Sequence, residues 1–233
     1  YVKSELEFYA FRAALLQRKF DQFYRGTPFR KATQLQRQKT GRRDDNMLLS
    51  ALTNPALIMP WLNIMLAQQT PLAGIYSVPE ISAPLVKDHP SNHLLLISWE
   101  KFSGLRQTYF SEHRLQISRL TPVNAELTFH DAVANELNRT YMYLKSLSLL
   151  PSGQTLDVRI LCHANDRKEL LGKLSKDPDV RYDFADIEEI GKQYKINLRF
   201  TGSDASQIFL HQFGADRPKT NSPNPAPTPL SPP

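Results

Sequence analysis

One cysteine in 233 residues, Cys162, excludes an intramolecular disulfide framework and any zinc site built from several thiolates. No stretch reaches the roughly 18 consecutive apolar residues that a membrane-crossing helix requires. No secretory signal peptide is visible, although a start at Tyr1 rather than Met is what a portion excised from a longer protein would show. The six histidines (His89, His93, His113, His130, His163 and His211) present no His-x-His or Cys–His ligand spacing, so no metal motif is expected. Ser77, Ser98 and Ser118 lack a Gly-x-Ser-x-Gly elbow, which removes that route to an activated serine. No internal repeat of about 20–50 residues recurs.

What is present is an ordinary globular composition, 41% hydrophobic and 22% charged, with ample length for a packed core. The charge is unevenly placed. Residues 1–45 hold 11 Lys/Arg against 5 Asp/Glu, while the remainder carries 18 of each, so the whole basic surplus lies at the N-terminal end. Within it, Leu6, Tyr9, Ala13, Leu16 and Phe20 fall near one helical face, and Gly26-Thr27-Pro28 ends that helix. Arg30 to Arg43 is polar, basic and rich in Gln. Such a run is an electrostatic footprint for nucleic acid or anionic headgroups, or a solvated helix or mobile connection. Aromatics stand before the run rather than within it, which favours the solvated alternative over nucleic acid. The candidate partner or anion contacts are Arg12, Arg18, Lys19, Arg30, Arg37, Arg42 and Arg43.

Residues 46–92 read as strand, helix, strand, helix. Met47–Leu52 is an apolar run, and Asn54-Pro55 suits a helix start, Asn as cap and Pro in the first turn. Ile58, Trp61, Leu62, Met65 and Leu66 make an apolar stripe. Pro71–Ser77 reads as the next strand, and Pro79 opens a short helix with Ile81, Leu85 and Val86. That order predicts a βαβ unit with a parallel strand pair.

From His93 the signals sharpen. Leu94–Ile97 is an unbroken apolar run, the pattern of a strand covered on both faces. Phe102-Ser103-Gly104 and Glu112-His113 are tight links between it and two alternating strands, Leu105–Ser111 and Leu115–Leu120. Links that short force antiparallel neighbours. Thr128 with Asp131 forms a variant capping box for a helix whose Phe129, Val133, Leu137, Tyr141 and Leu144 share one face, closed by Pro151-Ser152-Gly153. Then come an apolar strand, Leu156–His163, ending in a buried thiol at Cys162; a helix capped by Asn165; a strand, Val180–Ala185; a helix, Ile187–Tyr194; and a last helix after Ser203-Asp204 carrying Ile208, Phe209, Leu210 and Phe213. Ile196–Phe200 suits either strand or loop. Seven prolines fall among the last 16 residues from Pro218, a composition that cannot offset its ordering entropy and predicts an extended tail. Four segments result: 1–45, basic and helical; 46–92; 93–216; and 217–233.

The order from His93, three antiparallel strands followed by helix–strand repeats, resembles the α/β ribonuclease H-like fold that actin-like ATPases duplicate. Leu72–Ser77 (LAGIYS), with HLLLISWEKFSGLRQTYF and RLQISRLTP, is similar to actin-like pilus-assembly proteins of the PilM type and to GspL-type cytoplasmic domains. The likeness spans roughly residues 42–214 and extends to bacterial inner-membrane proteins with such a cytoplasmic part. It implies an assembly domain at the cytoplasmic face of that membrane, working through protein partners. The departures concern the nucleotide. Where such ATPases carry Asp-x-Gly, this chain has Ser98-Trp99-Glu100-Lys101. Their two glycine pairs are replaced by Thr121-Pro122-Val123-Asn124 and Cys162-His163-Ala164-Asn165-Asp166. Only backbone free of Cβ wraps a triphosphate closely, so the resemblance implies a scaffold without a nucleotide cofactor and without catalysis. An active ATPase of the same fold and a nucleic-acid module using residues 1–45 are the alternatives. A two-metal nuclease would draw on Glu100, Glu136 and Asp157 or Asp166, but these acids occupy strand ends and a helix flank where solvated acids ordinarily sit.

Overall fold

The computed structural model describes residues 7–9, 13–37, 45–72, 74–122, 128–197 and 199–215. Strands β1 (Glu7–Tyr9), β2 (Arg30–Arg37) and β3 (Asp45–Ala51) form a small antiparallel sheet in the order β1-β3-β2, with helix α1 (Ala13–Phe23) on one face. Burial of β3 drives this unit: Met47, Leu49 and Ala51 pack against Phe20 and Tyr24, all at most 9% exposed. The basic Arg30–Arg37 run is therefore a strand, not the solvated helix or mobile connection expected. Its Gln, Lys and Arg favour helix locally, but the open edge of β3 outweighs that preference. The sheet also straddles the expected boundary at residue 45.

Two expectations fail in the next segment. A 3-10 turn (Pro55–Leu57) and helix α2 (Met59–Ala67) form with Pro60 in the first turn, although Asn54 makes no side-chain cap. The stripe of α2 does not face a core: Leu62 alone in the helix is buried, while Trp61 is 71% and Leu66 63% exposed. No strand forms among the described residues of Pro71–Ser77, and no parallel pair exists there. Both sides of β3 are taken by β1 and β2, so no strand can pair parallel with it as the βαβ reading required. The chain instead enters the short helix α3 (Val78–Ile81), where the Ser77 N–H and hydroxyl both donate to Glu80 Oε2 at 3.1 and 3.0 Å.

The second sheet contains β4 (His93–Glu100), β5 (Gly104–Ser111), β6 (Arg114–Thr121), β7 (Leu156–Cys162) and β8 (Val180–Asp186), in the order β6-β5-β4-β7-β8. The first three are antiparallel hairpin neighbours; β7 and β8 run parallel to β4. This is the ribonuclease H-like mixed sheet expected. Helix α4 (Phe129–Ser146) returns the chain from β6 to β7, and α5 (Arg167–Lys173) from β7 to β8; α6 (Ile187–Gln193) and α7 (Ser206–Ala215) follow. Consecutive residues of β4 point to opposite faces. Leu95 and Ile97 join Tyr109, Val158, Val133 and Leu144 under α4, whereas Leu94 and Leu96 join Phe110, Ile187, Ile208 and Phe209 on the other side. Two cores explain the unbroken apolar run.

The cap of α4 forms as read: Thr128 Oγ1 accepts from the Asp131 N–H at 3.2 Å and its hydroxyl donates to Asp131 Oδ2 at 2.6 Å. The helix buries more than the expected stripe, because Glu136 is also enclosed, at 5% exposure. The turn ahead of α5 is capped by the His163 ring rather than by Asn165, and no strand forms among the described residues of Ile196–Phe200. Gly104 has a φ of +123°, and a Cβ there would lie 2.0 Å from the Thr121 carbonyl oxygen. Only glycine lets β5 and β6 meet at that point. Arg12, Arg42, Arg43, Val123, Asn124 and the proline-rich tail lie outside the described residues. Among the described residues, no helix is long and apolar enough to cross a membrane.

Candidate functional site

In open α/β sheets, ligands settle beyond the carboxyl ends of the strands where chain direction switches. Here that place lies past Trp99-Glu100 on β4 and Cys162-His163 on β7. The chain itself fills it. Residues 203–205, which lead into α7, enter between the two strand ends, and Asp204 bridges Trp99 in parallel register. The Ala205 N–H donates to the Trp99 carbonyl at 2.8 Å, and the Lys101 N–H donates to Asp204 Oδ1 at 3.2 Å. The His163 N–H donates to Ser203 Oγ at 2.9 Å, and the Ser203 hydroxyl donates in turn to Asp166 Oδ2. Ser203 and Ala205 are 6% and 0% exposed. The backbone donors that a phosphate would need at these strand ends are thus spent on the protein.

An aromatic and polar lid closes the side facing α4. The Trp99 ring meets Phe129 edge-on at 6.0 Å, and Phe129 packs on His130 at 5.4 Å. The His130 Nε2 lies 3.3 Å from Asp166 Oδ1 and its Nδ1 3.6 Å from Glu169. Lys173 ties this group together, 2.7 Å from Asp131 and 3.3 Å from Glu169. The Asp131 carboxyl is held below its ordinary value, chiefly by its hydrogen bond from Lys173. Every acid here has a protein partner, so the arrangement fastens α4 to α5 rather than presenting a free acid and base.

The carboxylates considered for a two-metal site do not converge. Glu100 is gripped by Arg106 through two bonds of 2.5 and 3.0 Å. Glu136, on the α4 side of the sheet, is held by Arg139 at 2.6 Å and Thr121 at 3.2 Å, with Arg119 at 3.6 Å. Asp157 sits at the opposite end of β7, bound twice by Arg181 at 2.6 and 2.9 Å. Burial alone would raise its carboxyl, but the Arg181 and Ser91 hydrogen bonds outweigh that and lower it. Among the described residues no group of three or more His, Cys, Asp and Glu side chains could hold a metal ion. Cys162 is fully buried, which pushes its thiol up to about 11 and leaves it protonated and inert at neutral pH. His163 next to it points elsewhere, Nε2 lying 3.3 Å from Glu188.

The basic residues are dispersed. Arg18 is exposed on α1, and Lys19 lies over the Phe23 ring at 5.5 Å. Arg30 on β2 pairs with Asp21 at 2.8 Å, and Arg37 ends the same strand opposite Asp45. They belong to a helix and a strand, not to one basic helix. The described residues leave a groove of about 340 Å³ away from the strand ends, between β2 and α3, lined by Thr33, Leu35, Leu48, Pro79 and Leu115 with Lys31, Glu80 and Arg114 nearby. Sequence reasoning noticed Ser203-Asp204 only as a helix cap. Its packing against Lys101 and His163, 103 and 40 residues away, carries no local signal.

Strand order and the filled crevice together define an α/β ribonuclease H-like module closed at its switch point. No family model matches the chain, and no curated protein searched is similar to it. A solved structure from Bacteroides thetaiotaomicron, described as a protein with an actin-like ATPase fold and unknown function, superposes with a TM-score of 0.41 at 12% identity, covering 81% of this chain and 67% of that one. The fold assignment rests on strand order and direction, not on that superposition.

Proposed function

We propose that this chain is a non-enzymatic assembly domain of the actin-like kind, related to the PilM and GspL types. In this reading it forms the cytoplasmic part of a bacterial inner-membrane protein and contributes protein–protein contacts to a pilus- or secretion-type machine. The observation that supports it is the seating of residues 203–205 between β4 and β7, where a phosphate would otherwise meet free backbone donors. Trp99 and the bonded pair Ser203–Asp166 add bulk and satisfied hydrogen bonds at the same place. Partner contacts would use the outer edge strand β8 and the exposed cations of α1 and β2.

Titration with Mg-ATP under thermal unfolding tests this. An ATP-binding domain held at 100 times its Kd gains about 2.7 kcal/mol. For a protein of this size that is a rise of roughly 5–10 °C in Tm. The expected result is no nucleotide-dependent rise. A saturable rise that requires magnesium would overturn the scaffold reading and favour the ATPase.

A further inference from the structure

Helix α2 is out of place on a water-facing surface. Its sequence, MPWLNIMLA, holds one polar side chain, Asn63, and no residue from Asn46 to Pro79 is Asp, Glu, Lys, Arg or His. Leu57, Trp61, Ile64 and Leu66 are 72%, 71%, 52% and 63% exposed, and Leu72 and Ile75 further along the chain are 45% and 47% exposed. Scattered apolar side chains on a surface are ordinary, but a contiguous uncharged patch marks a contact.

The distribution around the helix selects the occupant. Leu57, Trp61 and Ile64 stand at i, i+4 and i+7 and make one ridge; Leu66 projects from a different side. A helix made for a groove on another protein keeps a polar back toward water, and α2 has none apart from Asn63. A helix that is apolar all round belongs in an apolar medium. From Pro55 to Ala67 the helical stretch is about 20 Å long at 1.5 Å per residue, short of the roughly 30 Å hydrocarbon core. That length suits a helix lying in one face of a bilayer rather than crossing it, with Trp61 suited to the headgroup level.

Charge supplies the complement. The chain enters this helix from the end of β3, which is held to β2 through Arg30 opposite Ala51 and the Leu52 N–H on the Phe29 carbonyl at 3.0 Å. Arg25, Arg30 and Lys31 stand at that same end, Arg30 paired with Asp21 at 2.8 Å and Lys31 with Glu80 at 3.1 Å, and exposed Arg18 lies two turns back on α1. The described residues among 13–51 carry six Lys/Arg (Arg18, Lys19, Arg25, Arg30, Lys31 and Arg37) against two Asp/Glu (Asp21 and Asp45). A cationic unit joined to an uncharged apolar helix matches an anionic leaflet, whose surface potential draws basic residues while the apolar ridge enters the acyl boundary. We propose that Pro55–Ala67 is a monotopic membrane-docking element seated in an anionic bilayer, with the cations of α1 and β2 over the lipid phosphates. The proposal depends on this surface alone and not on the state of the nucleotide crevice, so the ATP titration and the experiment below can fail separately.

Flotation of the full chain with phosphatidylcholine vesicles, with and without phosphatidylglycerol, tests it. The expected result is binding to the anionic vesicles that weakens with salt, with a blue shift of Trp61 emission in a Trp99→Phe background. Trp61→Asp/Ile64→Asp changes only exposed positions, so circular dichroism and Tm should stay as in the parent while vesicle binding falls by about tenfold or more. Arg18→Glu/Arg25→Glu should weaken binding to the anionic vesicles while leaving the residual apolar partitioning. Failure to float with either vesicle, or flotation that the Trp61→Asp/Ile64→Asp variant retains, overturns the proposal. So does a dimer by light scattering that the same variant abolishes without any vesicle binding, which would make α2 a contact between copies.

Discussion

Removing the Arg106 guanidinium tests the structural role of Glu100 most directly. The two side chains lie diagonally on β4 and β5, because Arg106 faces Ser98 in register and Glu100 stands two residues further on the same side. Their side chains are only 15% and 7% exposed, and two hydrogen bonds join them. Arg106→Met keeps most of the stem and strands a carboxylate in the interior. Breaking such a pair from one side costs about 3–5 kcal/mol, because the remaining charge keeps its desolvation penalty without its partner. With a urea dependence of about 3 kcal/mol per molar, the unfolding midpoint should fall by about 1 M or more. Glu100→Leu/Arg106→Met replaces the pair with apolar contact and should return stability to within about 1 kcal/mol of the parent. Urea unfolding followed by circular dichroism measures all three proteins. If Arg106→Met unfolds within about 0.5 kcal/mol of the parent, or if the double variant is no more stable than the single one, the pair does not do what its geometry says. A melting temperature raised by Mg²⁺ or Mn²⁺, with the effect lost in Glu100→Gln, would instead place Glu100 in a metal site.

Two other predictions follow from local structure. Gly104→Ala puts a methyl against the Thr121 carbonyl at a position with positive φ, and should cost about 3 kcal/mol or more, seen as a Tm lower by roughly 6–12 °C; an unchanged Tm would mean that the β5–β6 junction relaxes freely. His89 and His93 are four apart but do not share a helix face, since one lies in a turn and the other opens β4. Desolvation lowers both, ahead of the cation Arg159 beside His89, while His93 Nδ1 contacts the Tyr109 hydroxyl at 2.7 Å. A histidine depressed by folding binds fewer protons in the native state, so its contribution is complete above the unfolded value of about 6.5 and is lost as pH falls through the lower native value. Unfolding free energy should therefore drop on acidification from pH 7 towards 5, and His89→Gln/His93→Gln should flatten that slope; an unchanged slope would exclude these two groups as its source.

Local chemistry made the second sheet legible. Two tight links, two alternating strands and one unbroken apolar run leave little choice but a three-stranded antiparallel unit with a buried centre. Thr128, Asp131 and the stripe from Phe129 to Leu144 then place a helix across it. That Ser98–Lys101, Thr121–Asn124 and Cys162–Asp166 hold no glycine was equally plain, because bare backbone is a property of single residues. Pairings at long separation were not legible. Arg30–Arg37 became a strand because β3 had an edge to fill, and Pro71–Ser77 could not pair with β3 because β1 and β2 already held both of its sides. The same limit hid the candidate site: nothing near Ser203 in the chain says that it will sit beside His163 and Trp99. Sequence also gave α2 its apolar character, but a stripe of Leu, Ile and Trp reads alike whether it faces a core or the outside. Periodicity specifies that a face must leave water; only the tertiary structure decides whether the protein itself supplies the cover.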